Sequence, residues 1–162
     1  MATDVGSAIG AAGAILVCGG LGGVMKAACI GAKAAGGTTV GILPGSDRGS
    51  ANDYVDIAIA TGLGEARNAI VVGCSDAVIA VGGEFGTLSE IALALRGGKP
   101  VVGLKTWELR PPGHDPDKRG VDKRGIDEIV VASDPSQAVS LALQLARNSA
   151  EIADNPQNVI RP

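Results

Sequence analysis

The feature that most constrains the fold of this 162-residue chain is a repeated order of short apolar runs, glycines and longer helical patterns. Short runs rich in Val, Ile and Leu, each leading into such a pattern, are typical of parallel strands joined by helical crossovers. The runs predict strands at residues 15–18, 38–43, 56–60, 77–81, 100–104 and 128–132. The intervening patterns predict helices at 23–35, 64–74, 87–96 and 135–149, after a leading helix at 3–12 that its glycines weaken. This order predicts a doubly wound α/β sandwich of three layers around a mostly parallel sheet.

The length and the charge of the chain restrict its class. The 162 residues suit one domain, predicted at 1–150, and residues 151–162 are expected to form a flexible C-terminal tail. Lys and Arg number 14 against 17 Asp and Glu, and the aromatic residues are only Tyr54, Phe85 and Trp107. Nucleic-acid binding relies on a dense basic face or on aromatic stacking, so nucleic acid is not expected as a partner.

The uncharged segment 5–25 is the stretch that most resembles a membrane span. It contains seven glycines, and the residues before it lack the basic start of a secretory signal. We therefore expect a cytoplasmic protein with no membrane partner.

The cysteines and the histidine argue against a metal site. Cys18, Cys29 and Cys74 have unrelated spacings and form no C-x-x-C pair, and His114 is the only histidine. We interpret the cysteines as small buried apolar residues in a reducing compartment, and we expect no metal. A catalytic Ser-His-Asp triad and a zinc hydrolase are likewise not expected.

The helical patterns carry information about assembly. Within 23–35 the only charges are Lys26 and Lys33, which fall on one narrow stripe, and the other positions are apolar or small. A helix that covers a sheet in a monomer has a broad polar side. The pattern therefore predicts a homo-oligomer, a dimer or a tetramer.

The segment 105–125 interrupts the alternation of strands and helices. It contains ten charged residues and repeats the tetrapeptide DKRG. One interpretation is a solvated loop, and the other is a lid or a partner surface, because long loops in compact domains often serve one of these purposes.

Three glycine-rich loops follow predicted strands and form the candidate site. Ligands of parallel sheets bind beyond the carboxyl ends of the strands, and amides at a helix N-terminus suit a phosphate. In the first loop, CGGLGGVMK, Lys26 lies in the opening turn of the next helix and is a candidate phosphate-binding residue. Its candidate phosphate-binding glycines are Gly19, Gly20, Gly22 and Gly23. The alternative is that these glycines only permit tight strand-to-helix packing.

Two established nucleotide-binding motifs are absent from the chain. It has no G-x-x-x-x-G-K-[ST], and Met25 stands where a dinucleotide-binding loop has Gly or Ala. Nucleoside triphosphatases and ordinary NAD enzymes are therefore not expected.

The other two loops contain charged candidates with open roles. In VGGEFGTLSE, Thr87 and Glu90 have the spacing of a capping box, so Glu90 is either a cap or a catalytic carboxylate. In TGLGEARN, Arg67 opposes the dipole at a helix start and requires an anion, either Glu65 or a ligand. The loop after the second strand adds further polar residues at the same rim: Ser46, Arg48 and Asn52.

The segments GGLGGVM, ILPG, TGLGEARN and VGGEFGTLSE, in this order, resemble the Rossmann-like proteins grouped around the molybdenum cofactor carrier proteins and the LONELY GUY phosphoribohydrolases. The resemblance covers residues 15–104 and implies a Rossmann-like fold. In the hydrolases a P-G-G-x-G-T-x-x-E motif binds the nucleotide phosphate, and its glutamate and an upstream arginine act on the N-glycosidic bond. The resemblance implies these roles for Glu90 and Arg67, with phosphate binding by Gly82, Gly83, Gly86 and Thr87.

The departures from the hydrolase pattern favour the carrier branch. Val81 replaces the motif's proline, and Asn68 replaces the lysine of its Arg-Lys pair, which leaves Asn68 as a ligand-binding candidate. The family also begins with an additional central strand that we expect this chain to lack. The leading hypothesis is a carrier that binds a phosphorylated pterin-like or nucleotide-like ligand, such as molybdenum cofactor or a nucleoside monophosphate. The alternative is an enzyme that hydrolyses nucleoside 5′-monophosphates to free base and ribose 5-phosphate.

Overall fold

The computed structural model describes residues 1–109 and 129–153, and their elements follow the predicted order. The strands are β1 (Leu16–Cys18), β2 (Thr39–Leu43), β3 (Ile57–Ala60), β4 (Val78–Val81), β5 (Val101–Leu104) and β6 (Val130–Val131). The α-helices are α1 (Ala2–Ala11), α2 (Gly23–Ala34), α3 (Asn68–Gly73), α4 (Phe85–Arg96) and α5 (Pro135–Ala153). Short 3-10 turns occupy Arg48–Ser50 and Gly64–Arg67. His114, most of the charged segment 105–125, and residues 154–162 lie outside the described residues.

All strand pairs in the described residues are parallel, as the crossover pattern predicts. The strands form two three-stranded sheets, in the orders β1-β2-β3 and β4-β5-β6. In the first sheet Val40 lies opposite Ile57, and in the second Val78 lies opposite Val101. The predicted Rossmann-like α/β fold is confirmed, with its parallel strands divided between two sheets.

Helices cover both faces of the second sheet and generate the predicted layers. Successive side chains of a strand point to opposite faces. Ile79 and Val81 of β4 accordingly pack with α1 and α5, whereas Val78 and Ala80 pack with α3 and α4. The core around this sheet therefore consists of two clusters, one on each side of β4 and β5, and a third cluster lies between β1 and α2.

The glycines of α1 and α2 allow these two helices to cross at very short distance. A Cβ placed on Gly6 would lie 1.9 Å from the carbonyl oxygen of Ala28, and one on Gly31 would lie 1.8 Å from that of Thr3. The glycines that lower the helix propensity of α1 are therefore required for its packing against α2. Because α1 covers the second apolar side of α2, the composition of α2 is explained within one chain and does not require a partner subunit.

The three cysteines differ in environment, so their common interpretation as buried residues is wrong. Cys29 is fully buried, Cys18 is half-buried and Cys74 is exposed. The Sγ atoms of Cys18 and Cys29 lie 3.7 Å apart, because β1 and α2 pack against each other at this point.

The last described helix is longer than the sequence predicts. Helix α5 continues through Ala153, three residues into the segment predicted as a tail.

Among the described residues, none of the helices has both the length and the apolar character that a bilayer crossing demands.

Candidate functional site

The first glycine loop packs against the guanidinium group of Arg67. A Cβ on Gly19 would lie 2.7 Å from both Nη1 and Nη2 of Arg67, so a larger residue would displace the arginine. Gly20 has a φ of 72°, and a Cβ there would lie 2.9 Å from a side-chain atom of β2. These two glycines serve close packing. Gly22 and Gly23 are exposed, and a Cβ on either would meet nothing within 4 Å.

Asn52 fixes the backbone of this loop. Its Nδ2 donates to the carbonyl oxygens of Gly20 and Leu21, each at 3.0 Å. Its backbone N–H donates to the Gly20 oxygen at 2.8 Å. Of the polar residues predicted at this rim after β2, Asn52 therefore contacts the glycine loop and holds its shape.

Lys26 lies in the first turn of α2, as predicted, but the described contacts of its ammonium group are with residues outside the glycine loop. Its Nζ is 3.5 Å from the Asp53 carboxylate and 5.8 Å from the centre of the Tyr54 ring. The described contacts of Lys26 are therefore with the segment that precedes β3.

Arg67 is buried at the junction of the first loop and α4. Its residue is 6% exposed, and its Nη1 donates to Asn68 Oδ1 at 2.7 Å. The nearest described carboxylate is that of Glu90, whose Oε1 is 3.5 Å from Nη1, so the ion pair is with Glu90 and not with Glu65. The Nε atom is buried and has no hydrogen-bond partner in the described part of the chain. A buried donor without a partner is uncommon, and a hydrogen-bond acceptor on a ligand would satisfy it.

Asn68, the next residue along the chain, contacts both Arg67 and helix α4. It is buried, its Oδ1 accepts from Arg67, and its Nδ2 lies 3.4 Å from Ser89 Oγ on α4. Both polar ends of the Asn68 side chain are therefore engaged within the chain, and the ligand-binding role of Asn68 stays a prediction.

The carboxyl group of Glu90 is half-buried, and its environment changes its acidity. Burial raises the pKa of Glu90 above its ordinary value of 4.5, the nearby Arg67 charge opposes this rise, and Glu65 adds to it. Desolvation disfavours the charged form, and the 3.5 Å separation from Arg67 compensates incompletely. The pair therefore combines a buried cation with a carboxylate that binds a proton more readily than usual.

The second glycine loop of the site, VGGEFGTLSE, leads into α4 earlier than the sequence predicts. The helix begins at Phe85 and its N-cap is Glu84, which makes no side-chain capping hydrogen bond. Thr87 therefore lies inside the first turn, and the capping box between Thr87 and Glu90 is wrong. Gly82 has a φ of 74°, and neither it nor Gly86 would bring a Cβ within 4 Å of another residue. The amides at the start of α4 thus lack a side-chain cap.

Trp107 also contacts this loop, although it belongs to none of the motifs in the sequence. It follows β5, and its Nε1 lies 3.4 Å from the Glu84 carbonyl oxygen and 3.3 Å from the Cβ that Gly83 lacks. Its ring contacts that of Phe85. One feature of the sequence could have indicated an unusual loop at this position. Two residues, Glu84 and Phe85, stand where the hydrolase motif has one.

The described residues contain no group of three His, Cys, Asp or Glu side chains that could hold a metal ion. A shallow depression of about 470 Å³ follows the outer side of α5 and has no lining residue from the glycine loops. The candidate site is therefore the rim formed by the first and second glycine loops with Arg67 and Glu90 between them.

Sequence comparison gives a family and a curated relative. The profile of the SLOG cluster4 family matches residues 1–149. An uncharacterised protein of Archaeoglobus fulgidus is 53% identical over 105 residues, which are 65% of this chain and 69% of that protein. The family match over residues 1–149 includes the strands and loops that form the rim.

Two solved structures with the same fold are those of molybdenum cofactor proteins. The molybdenum cofactor binding protein of Rippkaea orientalis is 41% identical, with a TM-score of 0.73 over 88% of this chain and 84% of that one. The molybdenum cofactor carrier protein of Chlamydomonas reinhardtii is 42% identical, with a TM-score of 0.74 over 91% of this chain and 86% of that one. These values bear out the resemblance to the carrier group.

Proposed function

Because the chain belongs to the SLOG cluster4 family, we propose that it is a carrier for a small phosphorylated ligand of the pterin or nucleotide type. Two structural neighbours at 41% and 42% identity are described as molybdenum cofactor binding or carrier proteins. The molybdenum cofactor is therefore the first ligand to test, followed by nucleoside monophosphates.

The observation that carries the proposal is the buried guanidinium of Arg67, whose Nε has no hydrogen-bond partner within the part of the chain that the structure describes. A buried cation is expensive unless anions or hydrogen-bond acceptors satisfy it. Its described anionic neighbour, Glu90, is 3.5 Å away and has a raised pKa. An anionic group of a ligand would complete the interactions of Arg67 with charge-assisted hydrogen bonds.

The starts of α2 and α4 supply the remaining interactions. Helices α2 and α4 begin at Gly23 and Phe85, and neither start has a side-chain cap. The free amides and the positive end of each helix dipole favour an anion. Gly22, Gly23, Gly82 and Gly86 leave open space in front of these amides, so they remain our candidate phosphate-binding residues.

Calorimetric titration tests the proposal. We expect molybdenum cofactor or AMP to bind the wild-type protein, and Arg67→Met to weaken binding at least roughly tenfold, the scale of one lost charge-assisted hydrogen bond. Arg147→Met, on the outer side of α5, is the matched control and should bind normally. Arg67→Lys and a thermal melt of each variant separate loss of charge from loss of fold. If no phosphorylated pterin or nucleotide binds, the proposal is wrong.

The ion pair of Arg67 and Glu90 also favours a second candidate, the phosphoribohydrolase. A half-buried carboxylate with a raised pKa beside an arginine can stabilise an oxocarbenium-like transition state or activate water. Incubation with AMP distinguishes the candidates, because only the enzyme releases adenine. Glu90→Gln should abolish that release, whereas a carrier should retain or improve its affinity for an anion in this variant.

We further propose that the protein is a cytoplasmic homo-oligomer. Ile57 and Ile59 on one side of the edge strand β3 are 51% and 44% exposed, which is unusual for large apolar residues on a strand. A second copy would cover them. Light scattering should give a dimer or tetramer, and Ile59→Lys should dissociate it; a 16.0 kDa monomer at micromolar concentration would contradict this proposal.

A further inference from the structure

Two of the three aromatic residues in this chain meet at the second glycine loop. Phe85 is the first residue of α4 and is 81% exposed, the highest value among the exposed large apolar residues of the described chain. Its ring centre is 6.0 Å from that of Trp107, with an angle of 35° between the ring planes. The two rings form one apolar surface beside the uncapped start of the helix.

The local structure holds Trp107 in place and leaves Phe85 open. The indole Nε1 lies 3.4 Å from the Glu84 carbonyl oxygen, and the ring occupies the space next to Gly83. Packing in the core does not explain Phe85, because most of its surface faces solvent. An exposed aromatic ring at the mouth of a loop is more typical of a surface that binds another molecule.

Arg67 gives an independent indication that a ligand occupies this rim. Its buried Nε lacks a partner among residues 1–109 and 129–153, and its Nη1 faces Glu90 on the same helix that begins with Phe85. Phe85 and Glu90 are separated by five positions, or roughly 7.5 Å along the helix axis at 1.5 Å per residue. An anion-attracting group and an aromatic surface therefore both contact the first two turns of the same helix.

We propose that Phe85 and Trp107 form the stacking surface for the planar heterocycle of the ligand, a pterin or a nucleobase, while its anionic group faces Arg67 and the amides at the start of α4. This inference rests on the proposed carrier function and adds the part of the site that selects the ring. Aromatic side chains accept different planar rings by stacking, so this surface selects for flatness rather than for a particular base.

Trp107 is the single tryptophan of the chain, so its fluorescence reports on this surface directly. We would titrate the protein with neopterin monophosphate, AMP and ribose 5-phosphate, following both fluorescence and heat. The two ring-bearing ligands should quench Trp107, and ribose 5-phosphate should bind more weakly without quenching. Phe85→Leu should weaken the ring-bearing ligands at least fivefold and leave ribose 5-phosphate unchanged, and Phe85→Tyr should retain their affinity.

Tyr54→Leu provides the matched control, since it removes an exposed aromatic residue that contacts Lys26 instead of the second loop. If Phe85→Leu binds the ring-bearing ligands as tightly as the wild-type protein, and Trp107 is not quenched, the stacking surface is wrong and the carrier function stands. If none of the three compounds nor molybdenum cofactor binds, the carrier function is wrong, and the stacking surface is wrong with it.

Discussion

Arg67 and Glu90 face each other at 3.5 Å across the junction between the loop after β3 and helix α4. Their side chains are 7% and 26% exposed, so water screens the pair only partly. The arginine also lies under Gly19, which follows β1. This one ion pair therefore connects segments that follow three different strands, and it makes the rim a single site although the strands belong to two sheets.

The raised pKa of Glu90 predicts a specific pH dependence of stability. The folded protein binds the Glu90 proton more tightly than the unfolded chain, whose value is near 4.5. The contribution of Glu90 to stability is therefore fully present below pH 4.5 and decreases as the pH rises through the folded pKa. Urea unfolding of wild type and Glu90→Gln between pH 4 and 7 should give a stability difference that shifts in favour of the variant as the pH rises.

Glu151→Gln on α5 is the control for this measurement, because it removes a carboxylate that is exposed. Its stability difference from the wild type should be small, because the side chain is exposed to solvent. A stability difference for Glu90→Gln that does not change with pH would contradict the raised pKa of Glu90.

The crossing of α1 and α2 predicts a large effect of a single methyl group. Gly6→Ala should destabilise the protein by about 3 kcal/mol, because its Cβ would clash with the backbone oxygen of Ala28 at 1.9 Å. Gly73→Ala is the matched control at the end of α3, where a Cβ meets nothing within 4 Å. It should change the unfolding free energy by less than about 1 kcal/mol, in the stabilising direction. Equal destabilisation by the two substitutions in urea unfolding would show that α1 and α2 do not pack as described.

The alternation of elements could be predicted from the sequence, because apolar runs and helical patterns are local signals. The position of Arg67, Glu90 and the glycine loops at one rim also followed, since parallel strands direct their carboxyl ends to the same edge. The prediction of an N-cap at Thr87 was wrong because the helix begins two residues earlier, at Phe85. The first residue of this helix depends on the conformation of the preceding loop. The division into two sheets and the contact of Phe85 with Trp107 were not predicted, because both depend on contacts between distant segments.

The unequal burial of the cysteines predicts their reactivity. Cys74 is exposed and should react with a thiol reagent as the single fast phase of the native protein. The hydrogen bond with Cys18 lowers the pKa of Cys29 to about 7 and raises that of Cys18, yet Cys29 is fully buried. Reagent access should therefore limit Cys29 in spite of its acidity. Cys74→Ser should remove the fast phase, and two thiols should react only after denaturation; a fast phase that survives in Cys74→Ser would contradict this burial.

Asp56 connects the starts of β2 and β3 and predicts how the protein responds to acid. Its carboxylate accepts from Lys33 Nζ at 2.7 Å and from the backbone N–H of buried Thr39 at 2.9 Å. The hydrogen bond from Lys33, followed by that from Thr39, lowers the pKa of Asp56 below 3.8. The stabilising effect of this depressed pKa is present above pH 3.8 and is lost as the pH falls through the folded value. Thermal melts of the wild type and Asp56→Asn should therefore differ most near neutral pH, with the variant melting lower, and the difference should decrease as the pH falls below 3.8. Asp53→Asn, whose carboxylate has a longer 3.5 Å contact with Lys26, should show a smaller difference at every pH.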